Sequence, residues 1–158
     1  MDVLPWLYVV LVTCLPWIEL RGSIPLGVLG LGLNPVLVFL VAGLVNVAVI
    51  YPAFWFLDWF FDFMMRIPVF GRVLARTQAK ARPYVEKYGE VGLVLFVGVP
   101  LPGTGAYSGS LAAHVLGIKN RRAASSIALG VLLAAVVITL ASTVFRESLG
   151  WFLNKQLL

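Results

Sequence analysis

The sequence predicts an all-α integral membrane protein. Two inverted repeats are expected, each a re-entrant helical hairpin followed by a spanning helix, with interfacial amphipathic helices alongside. Three observations carry this reading. The 158-residue chain is 61% hydrophobic and only 12% charged, with a mean hydropathy of +0.97, and a soluble domain of this size could not hide that much apolar surface. Two segments reach the roughly 20 apolar residues that a bilayer crossing needs, whereas the others are too short and end at Pro, Gly or charge. The bases cluster in two places, which sets the orientation of the chain in the membrane.

Residues 1–34 form the first hairpin. Val3 to Ile18 is followed at once by Glu19 and Arg21, and Ile24 to Leu33 is a short Gly-rich run. Short apolar pieces joined by Pro and Gly at membrane depth mark re-entrant hairpins or broken helices, and Gly22 and Pro25 are the expected turn. The opening "MDVLPWLYVVLVTCLPW" lacks a basic region and is interrupted by Pro and Trp, so a cleaved signal peptide is not expected.

Residues 35–61 are the first spanning helix. It closes on "FWFLDWFFDF", where Trp55 and Trp59 read as an interfacial aromatic belt and Asp58 and Asp62 as groups facing headgroup water. Residues 62–90 are a basic loop carrying Arg66, Arg72, Arg76, Lys80, Arg82 and Lys87. Arg72, Arg76 and Lys80, spaced by four, would give one basic face to a helix lying along the membrane.

Residues 91–118 are the second hairpin. Val91 to Leu101 stops at "PLPGTG", with Pro100 and Pro102 as its turn, and Ala106 to Ile118 ends at "KNRR". Residues 119–145 are the second spanning helix. Residues 146–158 are an interfacial tail with Trp151 and Phe152 as anchors. If the second hairpin enters and leaves on one side, the loop 62–90 and residues 119–122 are both cytoplasmic. The first hairpin then enters from outside, and the two copies are inverted. "VLGLGLNPVLVFLVAGLVNVAV" echoes "HVLGIKNRRAASSIALGVLLAAVV", each with a Leu-Gly and a polar corner before a long helix. Four ordinary, slightly short spanning helices would satisfy the charge rule as well.

Composition also excludes function classes. The net charge of +5 comes from bases beside apolar segments, which points to orientation and anionic lipid headgroups rather than nucleic acid. One cysteine, Cys14, rules out an internal disulfide framework, and no Cys/His cluster has metal-ligand spacing. There is no P-loop and no Ser–His–Asp pattern, so ATP-driven transport and hydrolysis both lack residues. No cofactor, no metal and no enzymatic activity are expected.

Two stretches could carry chemistry. In "PWIELRGSIP", Glu19 and Arg21 are ionisable residues at membrane depth, where such groups mark a pathway, a relay or a mutual pair. Glu19 would carry a proton, since burial favours the neutral acid, and Arg21 would bind an anionic head group with its planar fork. Alternatively the two form an ion pair that only pins the hairpin. In "GVPLPGTGAYSGSLAAH", Pro100, Pro102 and Gly103 break the segment and free backbone groups, while Thr104, Tyr107, Ser108 and Ser110 add hydroxyls. A helix starting near Thr104 would aim its amides at an anion. Gly105, Gly109, Ala113 and Gly117 recur every four residues as a smooth packing face, within the hairpin or at a dimer seam. His114 is either a proton shuttle or a hydrogen-bonded packing residue, and Asn46 is a polar group at mid-depth of the first long helix.

On "ELRGSIP" and "VPLPGTGAYSGSLAAHVLGI", the chain resembles the small multidrug export protein family, a distant relative of the DedA-type membrane proteins. The resemblance covers roughly Pro5 to Phe145. It implies two opposed re-entrant hairpins and the movement of lipid-linked phosphate carriers, driven by a proton or sodium gradient. DedA-type second hairpins bring arginines beside the proline; here Val97, Gly98, Thr104 and Gly105 occupy that region, so either the anion clamp is missing or Arg21 supplies it alone.

The resulting expectation is a multi-pass transporter of the prokaryotic cytoplasmic membrane, forming a homodimer in contact with membrane lipids. Its substrate would be an amphipathic anion such as a polyprenyl phosphate, held by Arg21, Ser23, Gly103, Thr104, Gly105, Tyr107 and Ser108, with Glu19 and His114 in proton coupling. Proton-coupled export of lipophilic cations and a non-transporting scaffold are the alternatives.

Overall fold

The computed structural model describes residues 3–64, 66–101, 103–118 and 120–156. All regular structure among them is helical: α1 (Val3–Cys14), α2 (Glu19–Pro25), α3 (Pro35–Met64), α4 (Pro68–Tyr88), α5 (Glu90–Gly98), α6 (Ala106–Val115) and α7 (Asn120–Gln156). A π turn over Leu26–Gly30 continues α2.

Two helices are long and apolar enough to cross a membrane, α3 over Pro35–Met64 and α7 over Arg121–Gly150. At 1.5 Å per residue, 30 residues extend about 45 Å, more than the roughly 30 Å hydrocarbon core. Only 33% of the most apolar stretch of each is buried, whereas the core helix of a soluble protein would be mostly buried. Leu44, Tyr51 and Trp59 on α3, and Leu133, Leu140 and Val144 on α7, all point outward. Apolar residues exposed on this scale suit lipid.

The chain divides into two compact units, Met1–Val45 with Ala135–Leu158, and Asn46–Ala134. In the first unit, α1 and α2 form an antiparallel helical hairpin. Thr13 of α1 meets Ser23 of α2, and Val9 lies against Gly27 of the following π turn. The chain reverses over Leu15–Ile18, where the Leu15 carbonyl accepts hydrogen bonds from the Ile18 and Glu19 amides at 3.2 and 3.0 Å.

The turn is therefore earlier than the sequence reading placed it. Gly22 and Pro25 are both inside α2. Gly22 is required for a different reason: a Cβ there would overlap the Ile18 methyl that folds back from the turn. Pro25 ends the regular helix because it has no N–H to donate. The chain beyond it relaxes into π geometry, with the Leu31 amide reaching back to the Leu26 carbonyl.

Asn34 then starts α3, its Oδ1 accepting from the Val36 and Leu37 amides at 2.9 and 3.3 Å, with Pro35 at the first helical position. An Asn cap followed by Pro is a strong helix start, since Pro lacks the amide that would otherwise go unbonded there.

In the second unit, α4 packs on α5 and α6. A single residue, Gly89, links α4 to α5 at φ 58°, ψ −129°, a conformation that only glycine adopts without strain. Just beyond it, Gly92 lies on the Tyr84 carbonyl so closely that a Cβ would overlap the α4 backbone. Thr77 and Ala81 are buried on the same face of α4, while Arg72, Arg76 and Lys80 are exposed on the other. Arg82 pairs with Glu86 one turn on, at 2.6 Å, and that hydrogen bond raises the guanidinium pKa further above its ordinary value.

The small-residue stripe is internal packing along most of its length. A Cβ on Gly109 would lie 2.7 Å from the Val97 side chain and 3.3 Å from Ile127. Gly105 and Ala113 are buried beside it. Gly117 is not part of this face: it is exposed and has φ +68°. The Ile118 amide bonds the Ala113 carbonyl and the Gly117 amide bonds that of His114. These are the two bonds of a Schellman stop, which favours Gly in the left-handed position.

α7 runs without a break from Asn120 to Gln156, so residues 146–156 of the expected interfacial tail are the end of this long helix, and residues 157–158 lie outside the described residues. "FRESLG" has no proline, and one glycine does not break a helix. Lys119, Pro102 and the side chains of Trp151 and Phe152 lie outside the described residues.

Candidate functional site

The first hairpin brings Glu19 and Arg21 together. Arg21 Nη1 donates to Glu19 Oε2 at 3.3 Å, and the side chains are only 15% and 4% exposed. Residues two apart on an α-helix point away from each other. The pair forms because Glu19, the first residue of α2, departs from regular helix geometry: its φ is +51°, the one positive value at a non-glycine residue among those described. For an L-residue this left-handed geometry costs about 1–2 kcal/mol. It turns the carboxylate off the helical course and onto the guanidinium.

The remaining polar groups of the first tip serve the hairpin itself. The Thr13 hydroxyl donates to the Val9 carbonyl and shares a 2.6 Å hydrogen bond with the Ser23 hydroxyl. Both residues are fully buried. Ser23, the expected substrate contact, ties the two arms together.

The second tip is also turned toward its own backbone. The Thr104 hydroxyl lies 2.9 Å from the Val99 and Leu101 carbonyls. Ser108 donates to the Gly105 carbonyl at 3.3 Å and Ser110 to that of Ala106 at 2.8 Å. The physical reason is the broken helix: the Pro100 segment leaves carbonyls without helical amide partners, and the neighbouring hydroxyls supply donors. Thr104 and Ser108, the expected substrate-binding residues, thus bond the turn. α6 begins at Ala106 with Gly105 as its cap and no side-chain cap hydrogen bond. Tyr107 is half-buried, and Gly103 is exposed at φ +77°.

One residue at this tip was not anticipated. The Lys80 ammonium of α4 comes within 3.9 Å of where a Gly103 Cβ would stand. The sequence reading assigned Lys80 to a lipid-facing stripe and left the second hairpin without a base. The only signal was its position on the same face as Arg72 and Arg76, which does not point to a loop 23 residues away.

His114 does not stand alone. Its Nδ1 is 3.4 Å from Asp58 Oδ1, and its ring packs on Phe61 at 4.7 Å between centroids. Asp58, read as a headgroup-facing acid, thus lies against the histidine. Nothing in the sequence links positions 56 apart in two different segments. Asn46 is fully buried in the same unit, and Glu19 and Arg21 belong to the other unit. No group of three or more metal-ligating side chains occurs among the described residues.

Comparison with known proteins gives one family. The family described as "Putative small multi-drug export protein" matches residues 19–137, from the acid of the first hairpin well into α7. No curated protein and no solved structure matches.

Proposed function

Because the chain belongs to the small multi-drug export protein family, we propose that it moves small amphipathic compounds across a membrane, coupled to protons through Glu19 and Arg21. The observation that carries this reading is the buried 3.3 Å pair on a left-handed residue. Two charges and a strained backbone are an expensive way to fasten a turn that Thr13 and Ser23 already tie.

The pair supplies a coupling rule. With Glu19 ionised, it neutralises Arg21 and the site carries no net charge. A proton on Glu19 removes that partner and leaves Arg21 positive at membrane depth, where an isolated charge is costly. A phosphate or carboxylate of an amphipathic anion then restores neutrality, and Arg suits such groups through its planar fork. Empty and fully loaded states are both neutral, while each half-loaded state is charged. Only the neutral states change exposure cheaply, so proton and anion travel together. Arg21 is the less buried of the two, which suits it to meeting the anion.

In this reading the first hairpin turns back within the membrane. α1, at 12 residues, extends about 18 Å, short of the roughly 30 Å core. α5 and α6, of 9 and 10 residues, are shorter still. A polyprenyl phosphate is one anion of the required kind.

The family description favours a second reading, in which a lipophilic cation and a proton compete for Glu19 and move in opposite directions. The sign of the response separates the two. Purified protein would be placed in liposomes with an imposed pH gradient, using a polyprenyl phosphate in one arm and a lipophilic dye cation in the other. Anion movement in the direction of proton flow, lost in Glu19→Gln, supports the first reading. Cation movement against proton flow supports the second. Transport unchanged by Glu19→Gln in both arms overturns the coupling role.

A further inference from the structure

α4 carries five bases and one acid. The acid, Glu86, is taken up by Arg82 at 2.6 Å. Arg72, Arg76, Lys80 and Lys87 remain, and at about 100° per residue they fall within a sector of about 80°. No acid shares that sector, and its centre lies about 120° round the helix from the buried Thr77 and Ala81. Arg72 and Arg76 are exposed and form no hydrogen bond or ion pair among the described residues. Val69, in the same sector, is also exposed.

The level of this face follows from its neighbour. The start of α4 is held against the end of α3, where the Phe61 and Phe70 rings meet edge to face at 6.0 Å between centroids. Trp59 and Phe63, on that end of α3, are exposed, as aromatic side chains at a membrane–water boundary are. With α3 crossing a bilayer, the bases begin at headgroup level, within the roughly 10 Å over which an anionic leaflet attracts them. The helix is also tied to the second hairpin. It packs on both arms, α5 and α6. Gly92 of α5 lies on the Tyr84 carbonyl with no room for a Cβ, and the Lys80 ammonium stands 3.9 Å from the Cβ position of Gly103 at the hairpin tip. Whatever fixes α4 in place bears on that tip.

We propose that the face of α4 bearing Arg72, Arg76 and Lys87 binds anionic phospholipid headgroups, and that this grip steadies the tip of the second hairpin. The argument is charge complementarity at headgroup level. The two arginines offer planar forks to lipid phosphates. A nucleic acid would match the charge but offers no apolar phase to Val69, Trp59 and Phe63, whereas an anionic bilayer matches both. The proposal uses none of the groups assigned to transport and stands whether or not Glu19 and Arg21 couple it.

The test is native mass spectrometry of the delipidated protein in detergent, titrated with phosphatidylglycerol and phosphatidylcholine of equal chain length. Phosphatidylglycerol is expected to be retained more tightly, and each base near an anionic surface accounts for a roughly fivefold change. In Arg72→Gln/Arg76→Gln that preference should therefore fall roughly 25-fold. Arg82→Gln/Glu86→Gln, which removes the neighbouring pair and leaves the net charge as it was, should keep it. For the tip, Leu101→Cys in a Cys14→Ser background should label more slowly in liposomes containing phosphatidylglycerol than in phosphatidylcholine alone, and the double arginine variant should erase the difference. Equal retention of the two lipids overturns the proposal, as does an undiminished preference in the double arginine variant. Retention of a short RNA as tight as that of the lipid would assign the face to nucleic acid instead. A labelling rate indifferent to lipid charge overturns the grip on the tip.

Discussion

Removing one half of the buried ion pair should hurt the fold more than removing both. At 3.3 Å and an effective dielectric near 20, the Coulomb attraction of Glu19 and Arg21 is about 5 kcal/mol before desolvation. Glu19→Gln strands a guanidinium that is mostly shielded from solvent, and breaking a buried pair from one side costs about 3–5 kcal/mol. Arg21→Met strands the carboxylate and should cost a similar amount. At about 2–4 °C per kcal/mol for a chain of this size, each single variant should melt roughly 6–20 °C lower. The double variant Glu19→Gln/Arg21→Met should return to the original melting temperature or exceed it, because neutral residues of similar volume replace buried pairs at little loss. The assay is thermal unfolding in detergent of all four proteins, followed by liposome transport of the two stable ones. Singles that melt within about 2 °C of the original would refute the claim that the pair is buried and mutually dependent. A double variant that is stable and still transports would refute the coupling role and leave the pair as a fastener.

Other outcomes follow from particular contacts. Gly92→Ala should destabilise by about 1–3 kcal/mol, since its Cβ meets the Tyr84 backbone and cannot be relieved by a rotamer change; thermal unfolding checks it, with Gly71→Ala, where a Cβ meets nothing within 4 Å, as the neutral control. Gly32→Ala and Gly117→Ala should each cost about 1 kcal/mol, read the same way, because both positions sit in left-handed geometry, at φ +64° and +68°. Trp17→Cys and Leu101→Cys, at the exposed hairpin tips, in a Cys14→Ser background, should label from opposite sides of sealed vesicles if the hairpins are inverted; labelling from one side only would retire that arrangement.

The long elements were legible because length and hydropathy are local properties. α3 begins at the Asn34–Pro35 signal, and the internal echo noted in the sequence corresponds to a shared device. "LGLN" and "LGIKN" each stop a hairpin at a left-handed glycine, Gly32 or Gly117, just before a long helix. Turn positions were less legible. Gly22 and Pro25 suggested a bend, but the reversal falls at Leu15–Ile18, where no glycine marks it and the strain is taken by Glu19 instead. The contacts of the tip hydroxyls were hidden for a related reason. Ser and Thr near a broken helix carry no mark of which carbonyl or hydroxyl they will bond, and Thr104, Ser108 and Ser23 bond their own hairpins. The contact of Asp58 with His114 and the approach of the Lys80 ammonium to Gly103 depend on tertiary placement, and single-sequence spacing holds no trace of them.

In the proposed coupling mechanism, the left-handed backbone at Glu19 sets stability against use. Glycine would sit at that position without strain, and a neutral residue at Arg21 would then need no counter-charge. The sturdiest version of the hairpin is therefore two substitutions away from the present chain and lacks the titratable group altogether. A screen that selects variants only for heat tolerance should drift toward that inert turn. Survival of the acid in such a screen would have to be enforced by an assay of movement across the membrane.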